Sequence, residues 1–343
     1  MDGRDKPDHD GKICATPHPA LRATFSRKGR RKGWRNLMLT YILRRLAAAI
    51  PTLFVIVTIS FFLMRVAPGG PFDLEQPLEA KVMENLRRIY KLDQPLFQQY
   101  LTYLAALLRG DFGPSFYFRD FSIAELFAQG LPVSMRLGAS ALLLALAIGG
   151  PLGALAAFRQ NGTADHAVIG FATAGITIPN FVVAPVLQIV FGLSLAWLPV
   201  GGWNGGAFRN SVLPVVTLAL PQIAVIARMT RAAMIETLRA NHIRTLRAQG
   251  LSTTTIALHA ARGAALPVVS YLGPAAASLL TGSVVVETIF GIPGIGRYFV
   301  EGALNRDYTL VMGTVVVVAI FVLLFNLVVD VLYALLDPRV RLE

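Results

Sequence analysis

Six uncharged apolar stretches, each near the length that crosses a bilayer, constrain this sequence most. They are Leu46–Met64, Leu137–Phe158, a segment within Ala167–Val200, Asn210–Ala227, Gly263–Val286 and Tyr308–Val329. About 20 apolar residues in a helix are enough to span the hydrocarbon core. Composition agrees, because 15% of the residues are charged and 54% hydrophobic, against roughly 25% charged in soluble domains. The reading is all-α: an integral membrane protein with six transmembrane helices. Polar residues inside the stretches (Asn180, Gln188, Gln222, Asn326) must then face other helices or a pore.

The flanking charges orient the spans. Residues 1–45 hold 12 Lys and Arg against 4 Asp, two-thirds of the formal net charge of +12. The connection Arg228–Arg262 holds six Arg and one acid, Glu236, whereas Glu287–Asp307 holds two Arg and three acids. Positive loops stay inside, so both termini and the 228–262 loop are expected in the cytoplasm. A basic stretch beside apolar spans reads as cytoplasmic retention, not nucleic-acid binding.

The expected organisation follows. Residues 1–37 mix Asp, Pro, His and basic residues without periodicity and read as a disordered basic extension. They lack a signal peptide's order of basic region, apolar core and small-residue cleavage site. Residues 38–66 carry the first transmembrane helix and 67–131 an extracytoplasmic helical segment. Residues 132–343 carry a five-helix core with its cytoplasmic loop at 228–262. Within 67–131, Leu78, Val82, Leu86 and Ile89 share one helical face. A second helix is predicted after Pro95, with Phe97, Leu101, Leu104 and Leu108 on its apolar face and Gly110 ending it. Ser122 with Glu125 makes a capping box for a third.

The sequence carries no engine of its own. It has no GxxxxGK[ST] phosphate loop, no GxSxG, no HExxH and no pair of carboxylates within an apolar span. Five scattered histidines and the single Cys14 offer neither a metal site nor an internal disulfide. No catalytic residue and no bound cofactor are expected. Asp330 reads as a solvated helix end. A bundle of this kind is passive or driven from outside.

The 228–262 loop is patterned beyond what charge retention needs. Met229–Arg247 lacks Gly and Pro, so the fourth span is predicted to continue into it. Gly250 then serves as a left-handed cap, Ser252 as the next N-cap, and Thr253–Arg262 as a second short helix before re-entry at Leu266-Pro267. This helix–Gly–helix exposes Arg239, Arg244 and Arg247.

In this stretch, "RTLRAQGL…ALPVV" (Arg244–Val269) resembles the cytoplasmic loop of ABC-importer permeases, specifically their peptide-permease branch. "MLTYILRRLAAAIPTLFVIVTISFFLMRVAPG" (Met38–Gly69), "GDFGPSF", "WLPVGGWNGG", "ETIFGIPGIG", "GALNRDYTLV" and "VDVLYALLDPRVR" resemble that branch in order. The likeness runs from Met38 to the end and is greatest to the first of the two permease subunits of oligopeptide importers. It implies a type I ABC-importer permease in the bacterial inner membrane. A partner permease, two ATP-binding subunits holding ATP and magnesium, and an extracytoplasmic peptide-binding protein would complete it. Dipeptides, glutathione-like peptides or a metal chelate are alternative substrates. A secondary transporter is a weaker reading, since neither inverted repeats nor intramembrane ionisable groups stand out.

The resemblance also implies residue roles. Arg239, Arg244, Thr245, Leu246, Arg247, Gly250, Leu251 and Ser252 would form a coupling helix seated on an ATPase subunit. The broader importer pattern has Glu where this chain has Arg244. Glu287, Gly291, Pro293, Gly294 and Gly296 would lie in an extracytoplasmic loop facing the binding protein; the residues alone read as a Gly/Pro turn. Thr173, Thr177, Asn180 and Gln188, beside Pro179 and Pro185, either line a translocation path or make helix–helix hydrogen bonds. Because the family pattern begins near Met38, residues 1–37 are expected to be dispensable.

Overall fold

Apolar periodicity becomes helix throughout the computed structural model, which describes residues 27–66, 93–118 and 120–336. No strand occurs among the described residues, where Pro114 and Ser122 form a lone bridge. The helices are α1 (Arg27–Val66), α2 (Leu96–Leu108), α3 (Ile123–Phe158), α4 (Thr163–Thr177) and α5 (Asn180–Leu187). A π-helical turn (Gln188–Ser194) follows α5. Then come α6 (Phe208–Arg239), α7 (Asn241–Ala248), α8 (Thr253–Phe290), α9 (Ile295–Leu304) and α10 (Tyr308–Leu336).

Among the described residues five helices are long and apolar enough to cross a membrane, or up to seven crossings if each bent pair counts as one. The third expected span is one of these pairs. Ile178 and Pro179 adopt extended backbone, and the two halves meet at 102°. Proline removes a ladder donor and constrains the residue before it. Other prolines do not break their helices: α3 contains Pro132 and Pro151, and α8 contains Pro267 and Pro274. Thus the predicted short helix at Ser122 and the second span are one helix. Thr253–Arg262 is likewise the first part of α8, without a break at Leu266-Pro267. Helix α1 begins at Arg27 rather than Met38, within what was expected to be a disordered extension, because its Lys and Arg are good helix formers. The helix expected around Leu78–Ile89 lies outside the described residues.

The centre is built from α3, α5, α6 and α8, with Leu137, Ala141, Ala145, Ala184, Leu218, Ile223, Ile226 and Phe290 buried together. Small residues let the backbones close. A Cβ on Gly153 of α3 would collide with Ala227 O and Thr230 Cβ of α6. Van der Waals packing of this kind is the main cohesive term where lipid is as apolar as the core. Helix α1 packs along α10 and leaves Ile50, Phe54 and Leu63 exposed. Such an apolar exterior suits hydrocarbon.

At one end, Phe61 of α1, Tyr100 of α2, and Tyr308 and Met312 of α10 form a satellite core. The face of α2 differs from prediction. Tyr100, Tyr103 and Leu104 pack inward, anchored by the Tyr100 hydroxyl 2.6 Å from Thr58 Oγ1. Phe97, Leu101 and Leu108 face outward. A tyrosine satisfies a polar tip while burying its ring, which an aliphatic count along the helix overlooks. The Ser122–Glu125 capping box is present in full.

Candidate functional site

The elbow between α6 and α8 is assembled from local rules. Ala240 takes extended backbone (ψ 150°) and ends α6, so α7 is a separate helix instead of a continuation to Arg247. The break turns Ile243 inward, where it is fully buried with Met234, Ile256, Ala260 and Ala264. At the other end of α7, Gly250 has φ +75°. Its N–H donates to Arg247 O at 3.0 Å, and Leu251 N–H donates to Leu246 O at 3.2 Å. That pair of bonds is the Schellman closure, whose usual companion is an apolar contact between the same two flanking positions. Leu246 and Leu251 supply it, both packed against the Ile243 cluster. Ser252 then caps α8, its hydroxyl accepting from Thr255 N–H.

This geometry divides the expected coupling residues. Arg244, Thr245, Arg247, Gly250 and Ser252 are exposed on the outer side, with His242 and Gln249 among them. Arg239 is exposed too and donates to Gln160 Oε1 at 3.2 Å. Leu246 and Leu251, expected as contacts to a partner, are half-buried and pack against the Ile243 cluster. Ile243 was missed by the sequence reading. Its i, i+3 spacing to Leu246 was the available signal.

A second anchor also went unread. Asp165, at the start of α4, is 1% exposed and accepts from Arg231 Nε at 2.5 Å and Nη2 at 2.7 Å. Asn161 N–H adds a third bond at 2.9 Å. The pair ties the α3–α4 turn to α6 just above the elbow. Arg231 is therefore a structural cation rather than a topogenic charge alone.

The residues proposed for a path separate. Thr173 lines a cavity of about 700 Å³ with Ile176, Val225, Arg228, Met229 and Arg231. The Thr173 and Thr177 hydroxyls both bond back to their own helix, at Ile169 O and Thr173 O. Asn180 opens α5 just after the bend, and its buried Oδ1 has no partner. Gln188 donates to Val200 O at 2.7 Å and Ile289 O at 3.3 Å, so it stitches a loop to α8. For Gln188 the helix–helix alternative holds.

At the opposite end, Gly291 caps α8 in the left-handed conformation and the chain turns 83° into α9. The predicted Gly/Pro turn is present, but most of its residues face inward. Glu287 is fully buried, accepting from Ser134 Oγ at 2.6 Å, Gly296 N–H at 2.9 Å and Arg297 N–H at 3.3 Å. Its carboxylate complements the first turn of α9. Gly294 and Gly296 are buried against it, and a Cβ on Gly294 would meet that carboxylate. Of the five residues expected to face a partner, Gly291 is exposed, Pro293 is half-buried and the other three form an internal clamp. Asp307 plays a matching part: fully buried, it accepts from Ser115 Oγ, Phe116 N–H and Leu310 N–H. Among the described residues no group of His, Cys, Asp and Glu could hold a metal ion.

Two sequence families match. Residues 149–342 match the family described as "Binding-protein-dependent transport system inner membrane component", and residues 38–116 match the N-terminal component of the same system. The oligopeptide transport system permease protein OppB of Salmonella typhimurium is 53% identical over 305 residues, covering 89% of this chain and all of the relative. The OppB of Haemophilus influenzae is 49% identical over the same shares. The dipeptide transport system permease protein DppB of Bacillus subtilis is 42% identical over 307 residues, 89% of this chain and 99% of the relative. With its bent-span helical bundle and its capped elbow, the chain belongs to the binding-protein-dependent transport system inner membrane component family.

Proposed function

We propose that the chain is the non-catalytic permease subunit of an ATP-driven importer for peptides, most suited to oligopeptides. The observation carrying this is the elbow: a rigid, apolar-backed helix whose outer side offers Arg244, Thr245 and Arg247 to another protein. Separate ATP-binding subunits would grip that side and hold ATP and magnesium. A second permease would close the path beside Thr173 and Asn180, and a binding protein would deliver peptide at the Gly291 end. Movement of α7 with the ATPases would rock α6 and α8 between inward- and outward-open states. Identities of 49–53% to oligopeptide permeases, against 42% to the dipeptide permease, favour the longer substrates.

The test is reconstitution of the chain with candidate ATPases, a partner permease and a loaded binding protein. Gly250→Pro removes the N–H bonded to Arg247 O and forbids φ +75°. It should insert normally yet hydrolyse ATP without peptide uptake. Wild-type uptake by that variant, or hydrolysis indifferent to the permease, overturns the reading.

A further inference from the structure

Away from the elbow and the bent span, the satellite core where α1, α2 and α10 meet borders an open cavity of about 380 Å³. Its walls include Arg65, Gln99, Thr102, Tyr103, Asp111 and Met312. Two of its polar atoms are buried without a hydrogen-bond partner among the described residues: Arg65 Nε and the Tyr103 hydroxyl. Arg65 makes no ion pair with a described residue. A buried polar atom left this way is costly, and native structures seldom leave such atoms unpaired without a ligand, water or ion to receive them.

The two groups share one platform. The Phe61 ring, 1% exposed, lies 5.2 Å from Arg65 Cζ and is stacked 5.8 Å from the Tyr103 ring at 28°. Tyr308 adds a second ring 5.9 Å from the guanidinium. Rings at these distances attract the cation, and a guanidinium has N–H donors suited to an oxyanion. Burial pushes the Tyr103 phenol above its ordinary pKa, so at neutral pH it stays an O–H donor. Asp111, an exposed residue, also lines the cavity, and its Oδ1 accepts from Gly113 N–H at 2.8 Å. A cation and a carboxylate thus line one cavity, together with the apolar Phe61 and Met312.

From this arrangement we infer a binding site for a small zwitterion, its oxyanion held by Arg65 and Tyr103 and its ammonium turned toward Asp111. The volume falls in the range of small-molecule pockets, about 300–1,000 Å³, and suits a short peptide or a phosphoethanolamine headgroup. The site stands on this chain's own residues and is independent of whether the elbow couples to an ATPase.

The test uses the full-length chain, with its partner subunits but without binding protein or ATP, in nanodiscs of phosphatidylglycerol alone. Equilibrium dialysis with radiolabelled tri-alanine should show binding. Tri-alanine amide and N-acetyl-tri-alanine should each bind roughly tenfold more weakly, as loss of one charge-assisted contact implies. Arg65→Gln and Asp111→Asn should each weaken tri-alanine to a similar degree. Glycerophosphoethanolamine is the second probe: if it alone binds, with the same dependence on Arg65, the natural zwitterion is the lipid headgroup. Absence of binding by both probes, or equal affinity for tri-alanine and its two blocked forms, overturns the site. Asp111→Asn, at an exposed position, keeps the test decisive even if Arg65→Gln fails to fold.

Discussion

Asp165 carries a carboxylate almost wholly withdrawn from water and gripped by two N–H groups of Arg231. Removing one member of such a pair strands the other. Asp165→Ala should therefore lower the thermal midpoint of the purified protein by several degrees. Arg231→Lys should fall between, since an ammonium cannot reproduce the forked geometry. A melt of Asp165→Ala that overlays wild type would show the pair to be idle. The sequence held a usable signal here, because Asp165 is the only acid between Glu125 and Glu236. What it did not hold was the partner, because 66 residues separate it from Arg231 and six arginines in the loop looked alike. Gly250 was legible from sequence for a different reason, since its role is conformational and local. A Cβ there meets nothing within 4 Å, so Gly250→Ala should cost only about 1 kcal/mol for the left-handed backbone and leave uptake largely intact.

At the scale of helices, α7 is held by Ile243, Leu246 and Leu251 and not by its arginines. Truncating a fully buried aliphatic side chain costs about 2–5 kcal/mol, far more than a short helix can absorb. Ile243→Ala should thus loosen the elbow selectively, read as faster amide exchange at 241–250 with α6 and α8 protected. Equal exchange in both proteins would mean that the cluster does not position α7. A different failure awaits Gly153→Leu, which would push α3 off the Ala227–Thr230 turn of α6 and leave little monodisperse protein after extraction. Helix type and number were readable wherever apolar runs were long. Helix ends were not, because proline breaks the chain at Pro179 yet is carried inside α3 and α8, and neighbouring helices decide which. The face of α2 misled in the same way: its inward side is chosen by hydroxyls that need partners.

For the whole molecule, the loop charges carry the proposed polarity. The elbow lies at one end and the Glu287 clamp at the other, joined by α8. With Cys14→Ser as background, a single cysteine at Gln249 should react with an impermeant thiol reagent from the cytoplasmic side alone. One at Asn204 should react from the opposite side alone. The reverse pattern would invert the proposed topology. Both positions flank turns, so neither substitution disturbs packing.

Helix α8 runs 38 residues, Thr253–Phe290, between its caps Ser252 at the elbow and Gly291 beside the buried Glu287. At 1.5 Å per residue that is a rod of about 57 Å, without a loop in between. Such a member behaves like a connecting rod in an engine. A push at the Ser252 end arrives at the Gly291 end with its direction kept, and any give is concentrated where Pro267 and Pro274 leave ladder bonds unmade. The stiffness of that rod, set by two residues far from either end, would then govern how promptly events on one side of the membrane are felt on the other.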